Sequence, residues 1–270
     1  MIELSRTSNP KILAIANQKG GVGKTTTTIN LGAALAEAGK RVLLVDLDPQ
    51  GNASTGLGVG YDQRDTTAYE LIIGDATPAE AILATAVPRL WIVPSTTDLS
   101  SADIELIANE KRSFLLRDAL RQTGIDGYEF DYILIDCPPS LNILTVNAMV
   151  SADGVVVPLQ SEFFALEGLS QLMLTIREIR ETANPALRIE GIVLTMYDRR
   201  NNLSQQVEAD ARENLGDLVF KTMIPRNVRL SEAPSFAAPV LTYDPTSKGS
   251  IAYRSLAAEL ISNDTQRKAG

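Results

Sequence analysis

The chain has 270 residues, 44% of them hydrophobic, with 33 acidic against 25 basic side chains and a formal net charge of −8. That length suits one large α/β domain or two small ones, and the acidic balance argues against a generic nucleic-acid binder while leaving room for a local basic patch. With no histidine and one cysteine, histidine-based triads, histidine-bound zinc and internal disulfides are excluded, a reducing cytosol fits, and carboxylates, lysine and water remain for chemistry.

Met1 to Asn9 is polar and lacks the apolar centre of a signal peptide, and no apolar run reaches the ~20 residues of a membrane span. From there short β-branched runs alternate with helical patterns. Strands are expected at Ile12–Ala16, Val42–Asp46, Leu90–Pro94, Tyr132–Asp136, Gly154–Leu159, Glu190–Thr195 and Val219–Ile224. Helices are expected at Thr25–Ala38, Ala102–Gln122, Leu141–Ser151, Leu166–Thr182 and Ser204–Leu215, and a core-type helix at Ser250–Ser262. Gly51 to Asp65 reads as a mobile loop. Nearly unbroken apolar strands such as Val42-Leu43-Leu44-Val45 imply a sheet covered on both faces. The fold expected is α/β, a single doubly wound, mostly parallel β-sheet flanked by helices. One domain would span 11–262, after a flexible N-terminal segment (1–10) and before a polar C-terminal tail (263–270).

The segment Gln18-Lys19-Gly20-Gly21-Val22-Gly23-Lys24-Thr25-Thr26 falls between the first strand and the first helix. Its glycines let backbone N–H groups turn inward, and the helix offers its positive end to an anion. Lys24 is placed to reach terminal phosphates and the Thr25 hydroxyl to hold Mg²⁺. Gln18 stands where the standard phosphate loop has its first glycine. A second lysine, Lys19, sits just inside.

Two acids complete the constellation. Asp46-Leu47-Asp48-Pro49-Gln50-Gly51-Asn52 ends the second strand, and Asp48 is the candidate for orienting a water in line with a γ-phosphate. Asp136, at the end of Tyr132–Asp136, is the candidate Mg²⁺ ligand, through water because Mg²⁺ keeps much of its hydration. Cys137 reads as a small buried residue, since one thiol cannot build a metal or redox site by itself. Asp198-Arg199-Arg200-Asn201-Asn202, Lys221, Arg226, Arg229, Lys248 and Arg254 form a basic region late in the chain, suited to sequence-independent phosphate contacts.

Together, the segments Lys19 to Thr26, Asp46 to Asn52, Asp136-Cys137-Pro138-Pro139-Ser140 and Ile224 to Pro234 resemble the deviant Walker A P-loop ATPases, and within them the ParA/Soj partition family. The resemblance implies ATP and Mg²⁺ as cofactors, with Lys19, Gly20, Gly21, Val22, Gly23, Lys24, Thr25 and Thr26 around the phosphates and Met196, Pro225 and Asn227 lining the adenine pocket. It implies that Lys19 crosses an ATP-bound homodimer to the partner subunit's phosphates. Arg200 and Arg229 would bind nonspecific double-stranded DNA, with Arg199, Lys221, Arg226 and Lys248 as further candidates. A ParB-type centromere-binding partner would stimulate slow ATP hydrolysis in a cytoplasmic, nucleoid-associated protein with no membrane attachment. The alternatives are a MinD-like or protein-cluster-positioning ATPase, and a nucleotide-dependent binding module with negligible turnover. A MinD-like chain should end in a basic amphipathic helix, an iron–sulfur relative needs more cysteines, and a site-specific repressor needs more than the 17 residues preceding Gln18.

Overall fold

The computed structural model describes residues 9–121, 125, 127–162 and 165–269. The apolar runs become strands β1 (Lys11–Ile15), β2 (Val42–Asp46), β3 (Leu83–Ala84), β4 (Leu90–Val93), β5 (Tyr132–Asp136), β6 (Gly154–Gln160) and β7 (Arg188–Thr195). They pair in the order β3-β4-β2-β5-β1-β6-β7, parallel throughout except at the edge pair β3–β4. The fold is therefore the expected doubly wound α/β sheet.

Strand alternation explains why the runs are apolar on both sides. Ile12, Ala14, Leu43 and Val45 pack into one core with Leu144 and Met149 of helix Ile143–Ser151 and with Leu172 and Ile176 of helix Ala165–Thr182. Leu13, Ile15, Val42 and Leu44 face the opposite core, against Ile29 and Leu35 of helix Lys24–Glu37 and Tyr253 and Leu256 of the C-terminal helix Lys248–Ala269. The loops after β1, β2 and β5 emerge at the carboxyl edge of adjacent central strands, where ligands bind in such sheets.

Several expectations are corrected, among them the loop read over Gly51 to Asp65, which holds a short helix at Asn52–Gly56 and a 3₁₀ turn at Tyr61–Gln63. Val219–Ile224 is not a strand: it makes one isolated bridge, Val219 to Ile192. Phe220 and Ile224 still donate to Ile192 and Leu194 carbonyls, but between them the Lys221 and Thr222 N–H groups turn to the Glu259 carboxylate, at 2.7 and 2.9 Å. The helix expected over Ala102–Gln122, whose last residue lies outside the described ones, breaks into Ala102–Glu105, a 3₁₀ turn at Leu106–Ala108 and Leu115–Leu120. Asn109 ends it, with an extended backbone and its own Oδ1 accepting from Lys111 N at 2.8 Å, a local turn that competes with the helix. The C-terminal helix does not stop at Ser262 but runs to Ala269, because buried Asp264 accepts from Lys11 and, at 2.6 Å, from the Tyr132 hydroxyl. Of the flexible segment expected at 1–10, residues 1–8 lie outside the described residues. No helix among the described residues is long and apolar enough to cross a membrane.

Candidate functional site

After β1 the chain is pinned at Asn17, whose Nδ2 donates to the Pro158 carbonyl at 2.7 Å and whose Oδ1 accepts from Lys19 N at 3.0 Å. Gly21 and Gly23 then take left-handed φ values of 74° and 89°, which a side chain at either position would strain. Gly23 caps helix Lys24–Glu37 without any side-chain hydrogen bond, so the first N–H groups of a 14-residue helix face the open loop. That arrangement is an anion cradle. Thr195 at the end of β7 steadies it by donating its hydroxyl to Val22 O at 2.8 Å.

The two loop lysines have different surroundings. Lys24 is 7% exposed, and its Nζ donates to Lys19 O at 3.2 Å. Burial pulls its pKa down, opposed mainly by attraction to Asp136 and also to Asp48. The Lys19 side chain is partly exposed and pairs with Glu162 Oε2 at 3.0 Å.

Asp46 and Asp136 end β2 and β5 as register partners, and both are fully buried. Burial pushes both carboxyls above the ordinary carboxylate range, helped at Asp136 by repulsion from Asp46 and then Asp48, and held back at Asp46 by its hydrogen bonds from Ser54 and Asp48. Asp46 is nevertheless well bonded: Oδ2 accepts from Ser54 N and Oγ at 2.9 and 2.7 Å, and Oδ1 from Asp48 N at 3.2 Å. Asp136 Oδ1 accepts from Thr28 Oγ1 at 2.9 Å, whereas Oδ2 is buried with no partner. An orphaned carboxylate oxygen beside a threonine-rich helix start fits a hard, oxygen-preferring cation. Asp48 is 8% exposed, and its Oδ1 holds Gln50 N at 3.0 Å. Cys137 is buried, and burial raises its thiol pKa well above the ordinary value, so it is neither nucleophile nor ligand.

Met196, Pro225 and Asn227 come together with Gly23 and Thr26 around a cavity of about 380 Å³ beside the cradle, floored by Tyr253. Met196 holds a left-handed φ of 52° there. The Tyr197–Pro225 bridge brings the 198–200 and 226–229 segments side by side. Arg200 is tied to Asp198 through Nε and Nη2 at 3.2 and 3.1 Å, and Arg229 to Glu232 and Asp244 at 2.7 and 3.3 Å. Arg199, Lys221, Arg226 and Lys248 have no ion-pair partner among the described residues. The Lys221 backbone N–H is held by Glu259 Oε1 at 2.7 Å.

Sequence reasoning missed Thr28, Thr195, Asn17 and Glu162. Thr28 had a local signal, since Thr25 and Thr28 of the threonine run fall on one helix face. Glu162, Thr195 and Pro158 meet the loop from more than 130 residues away, and no local pattern reports that.

A family model described as an AAA domain matches residues 10–189. The chain is 59% identical over 263 residues to the chromosome partitioning protein ParA of Caulobacter vibrioides, covering 97% of this chain and 98% of that protein. It is 51% identical over 253 residues to the sporulation initiation inhibitor protein Soj of Bacillus subtilis, covering 94% and 99%. Among solved structures, a Mycobacterium smegmatis protein described as cobyrinic acid a,c-diamide synthase, with bound ADP and magnesium, superposes with a TM-score of 0.81 at 39% identity over 94% of each chain. The cell division ATPase MinD of Pyrococcus furiosus superposes with a TM-score of 0.76 at 29% identity over 94% of this chain and 99% of its own.

Proposed function

Because the chain belongs to the ParA/Soj family of chromosome partitioning ATPases, we propose that it is an ATP-dependent DNA segregation switch. ATP lies with its phosphates on the first-turn N–H groups of helix Lys24–Glu37 and its base in the cavity at Met196, Pro225 and Asn227. Lys24 offsets the charge of the terminal phosphates. Thr25 and Asp136 hold Mg²⁺, Asp136 through water, and the ion neutralises charge developing on the transferred phosphoryl group. Asp48 orients the attacking water.

The observation that carries the reading is the contrast between the two lysines. Lys24 is buried in its own cradle, while Lys19 stands at the open rim, paired with a partly exposed carboxylate. A rim lysine is available to the phosphates of a second copy, whose approach brings like charges together and requires such a cation. In the closed dimer the arginine-bearing edges around Arg200 and Arg229 are doubled and grip nonspecific DNA through phosphate contacts. A ParB-type partner stimulates hydrolysis, the dimer opens and DNA is released. Association with the nucleoid follows from the DNA grip.

The test is a gel shift on nonspecific DNA with ATP or ADP, together with ATPase rates with and without DNA and the partner. An ATP-dependent shift and a partner-stimulated rate are expected; equal shifts with ATP and ADP would sink the switch. Gly20→Val tests the dimer. A Cβ at Gly20 meets nothing within 4 Å and its φ is not left-handed, whereas Gly21 also has open space but a φ of +74°. Gly20→Val, which crowds the open loop without backbone strain, is therefore expected to keep part of the ATP binding and to lose both dimer and shift.

A further inference from the structure

We propose that Arg64 is a positioning residue for hydrolysis, stapling the loop that presents Asp48; this rests on the reading of Asp48 as the water-orienting carboxylate. The loop after β2 needs such a staple. Pro49 and Gln50 border a cavity of about 380 Å³ whose other walls include Arg64, Thr96 and Thr97, so close packing does not hold that side of the loop.

The guanidinium ties together what packing leaves loose. Arg64 Nη1 donates to Ser95 O at 2.9 Å, and Nη2 to Thr55 Oγ1 and Val59 O, each at 2.8 Å. Nε also reaches Val59 O, at 3.2 Å. From these acceptors two hydrogen-bonded paths lead back to Asp48. In one, Ser95 N donates to Ser54 Oγ at 3.1 Å, Ser54 Oγ donates to Asp46 Oδ2, and Asp46 Oδ1 holds the Asp48 N–H. In the other, Thr55 Oγ1 donates to Gly51 O at 3.0 Å, and Gly51 N donates to Asp48 O at 2.9 Å. A planar fork with fixed donor directions suits this multi-segment bridge in a way that an ammonium does not.

Gly51 supplies a separate argument from geometry. Its φ is 61°, and a Cβ there would lie 2.4 Å from Arg64 Nη1 and 2.9 Å from Ser95 O. The glycine is the space into which the guanidinium closes.

The experiment compares wild type, Arg64→Ala, Arg64→Lys, Asp48→Asn and the Asp48→Asn/Arg64→Ala double variant in full-length protein, reading kcat, KM for ATP, ATP affinity and Tm. Arg64→Ala is expected to lower kcat about tenfold with KM and ATP affinity within about twofold, the pattern of a lost transition-state interaction. Arg64→Lys recovers little. The double variant is expected to be no slower than Asp48→Asn alone, because a residue acting through another is non-additive with it. If the two losses multiply, or Arg64→Ala raises KM with kcat intact, the proposal is overturned. Should Arg64→Ala fail to fold, Arg64→Gln, which keeps the aliphatic stem and loses the guanidinium fork, must reproduce the kcat loss, and an unchanged kcat there counts against the staple. Full hydrolysis by Asp48→Asn would instead remove Asp48 from the mechanism, whatever Arg64→Ala does.

Discussion

Asp136 illustrates how the site trades stability for a ligand position. Its Oδ2 is buried with no partner, and its carboxyl faces a second buried carboxyl one strand away. Burial and then Asp46 raise its pKa in the folded state above the ordinary value, so the folded chain binds more protons than the unfolded one. Stability is then full below the unfolded carboxyl value of ~4 and declines as pH rises toward the folded value. Asp136→Asn removes the charge in both states. Without nucleotide or metal it should raise Tm by about 3 °C near pH 8 and change it little near pH 5; scanning calorimetry across pH checks this, and a gain that shrinks with pH would contradict the assigned cause. The phosphate cradle, Asp48 and Asp136 were legible as residues because strand, turn and helix signals surround them. Their settings were not. That Lys24 is buried, that Lys19 is matched by Glu162 and that Asp46 carries the Asp48 N–H all depend on contacts made by folding.

At the scale of elements, the C-terminal helix does more than cover one face. Glu259 accepts both the Lys221 and Thr222 N–H groups and so replaces a length of strand ladder. Glu259→Ala leaves those donors without their carboxylate and should cost about 1–2 kcal/mol, part of it recovered by water at the exposed Lys221 amide; urea unfolding measures it, and Glu259→Gln, which keeps one acceptor, should lose less. The same pair explains why Val219–Ile224 reads as a strand. The apolar ends are real core, since Val219, Phe220 and Ile224 are buried, but a side chain from a helix 37 residues on diverts the middle of the ladder. Strands bonded to other strands along their whole length, such as β1, β2 and β5, were readable within a residue or so. The break at Asn109 was missed for a local reason: an asparagine in a helical pattern can bond its own backbone and end the helix.

Over the whole molecule, the proposed function asks an acidic chain to hold polyanionic DNA on a small basic edge. On that edge Arg200 and Arg229 carry their own carboxylates, Asp198 for one and Glu232 with Asp244 for the other. Each would neutralise a DNA phosphate only in part until its carboxylate is displaced. Asp198→Asn keeps the Oδ1 acceptor for the Arg200 N–H and removes the charge. It should raise DNA affinity of the ATP-bound form severalfold and steepen the fall of affinity with salt, because more net positive charge meets the phosphates. Fluorescence anisotropy over a salt series reads both, and an unchanged slope would separate Arg200 from the phosphate contacts.

Lys19 carries the same logic to the dimer. Its ammonium is not bare in the single chain, since Glu162 already satisfies it. In the proposed dimer, closure on a second nucleotide would be an exchange of one anion for another, its driving force the difference between two ion pairs rather than the whole of one. Such a contact leaves the closed form shallow. Under that proposal, once hydrolysis removes the γ-phosphate the Glu162 carboxylate is at hand to take the lysine back, and the pair would separate without passing through an unpaired charge.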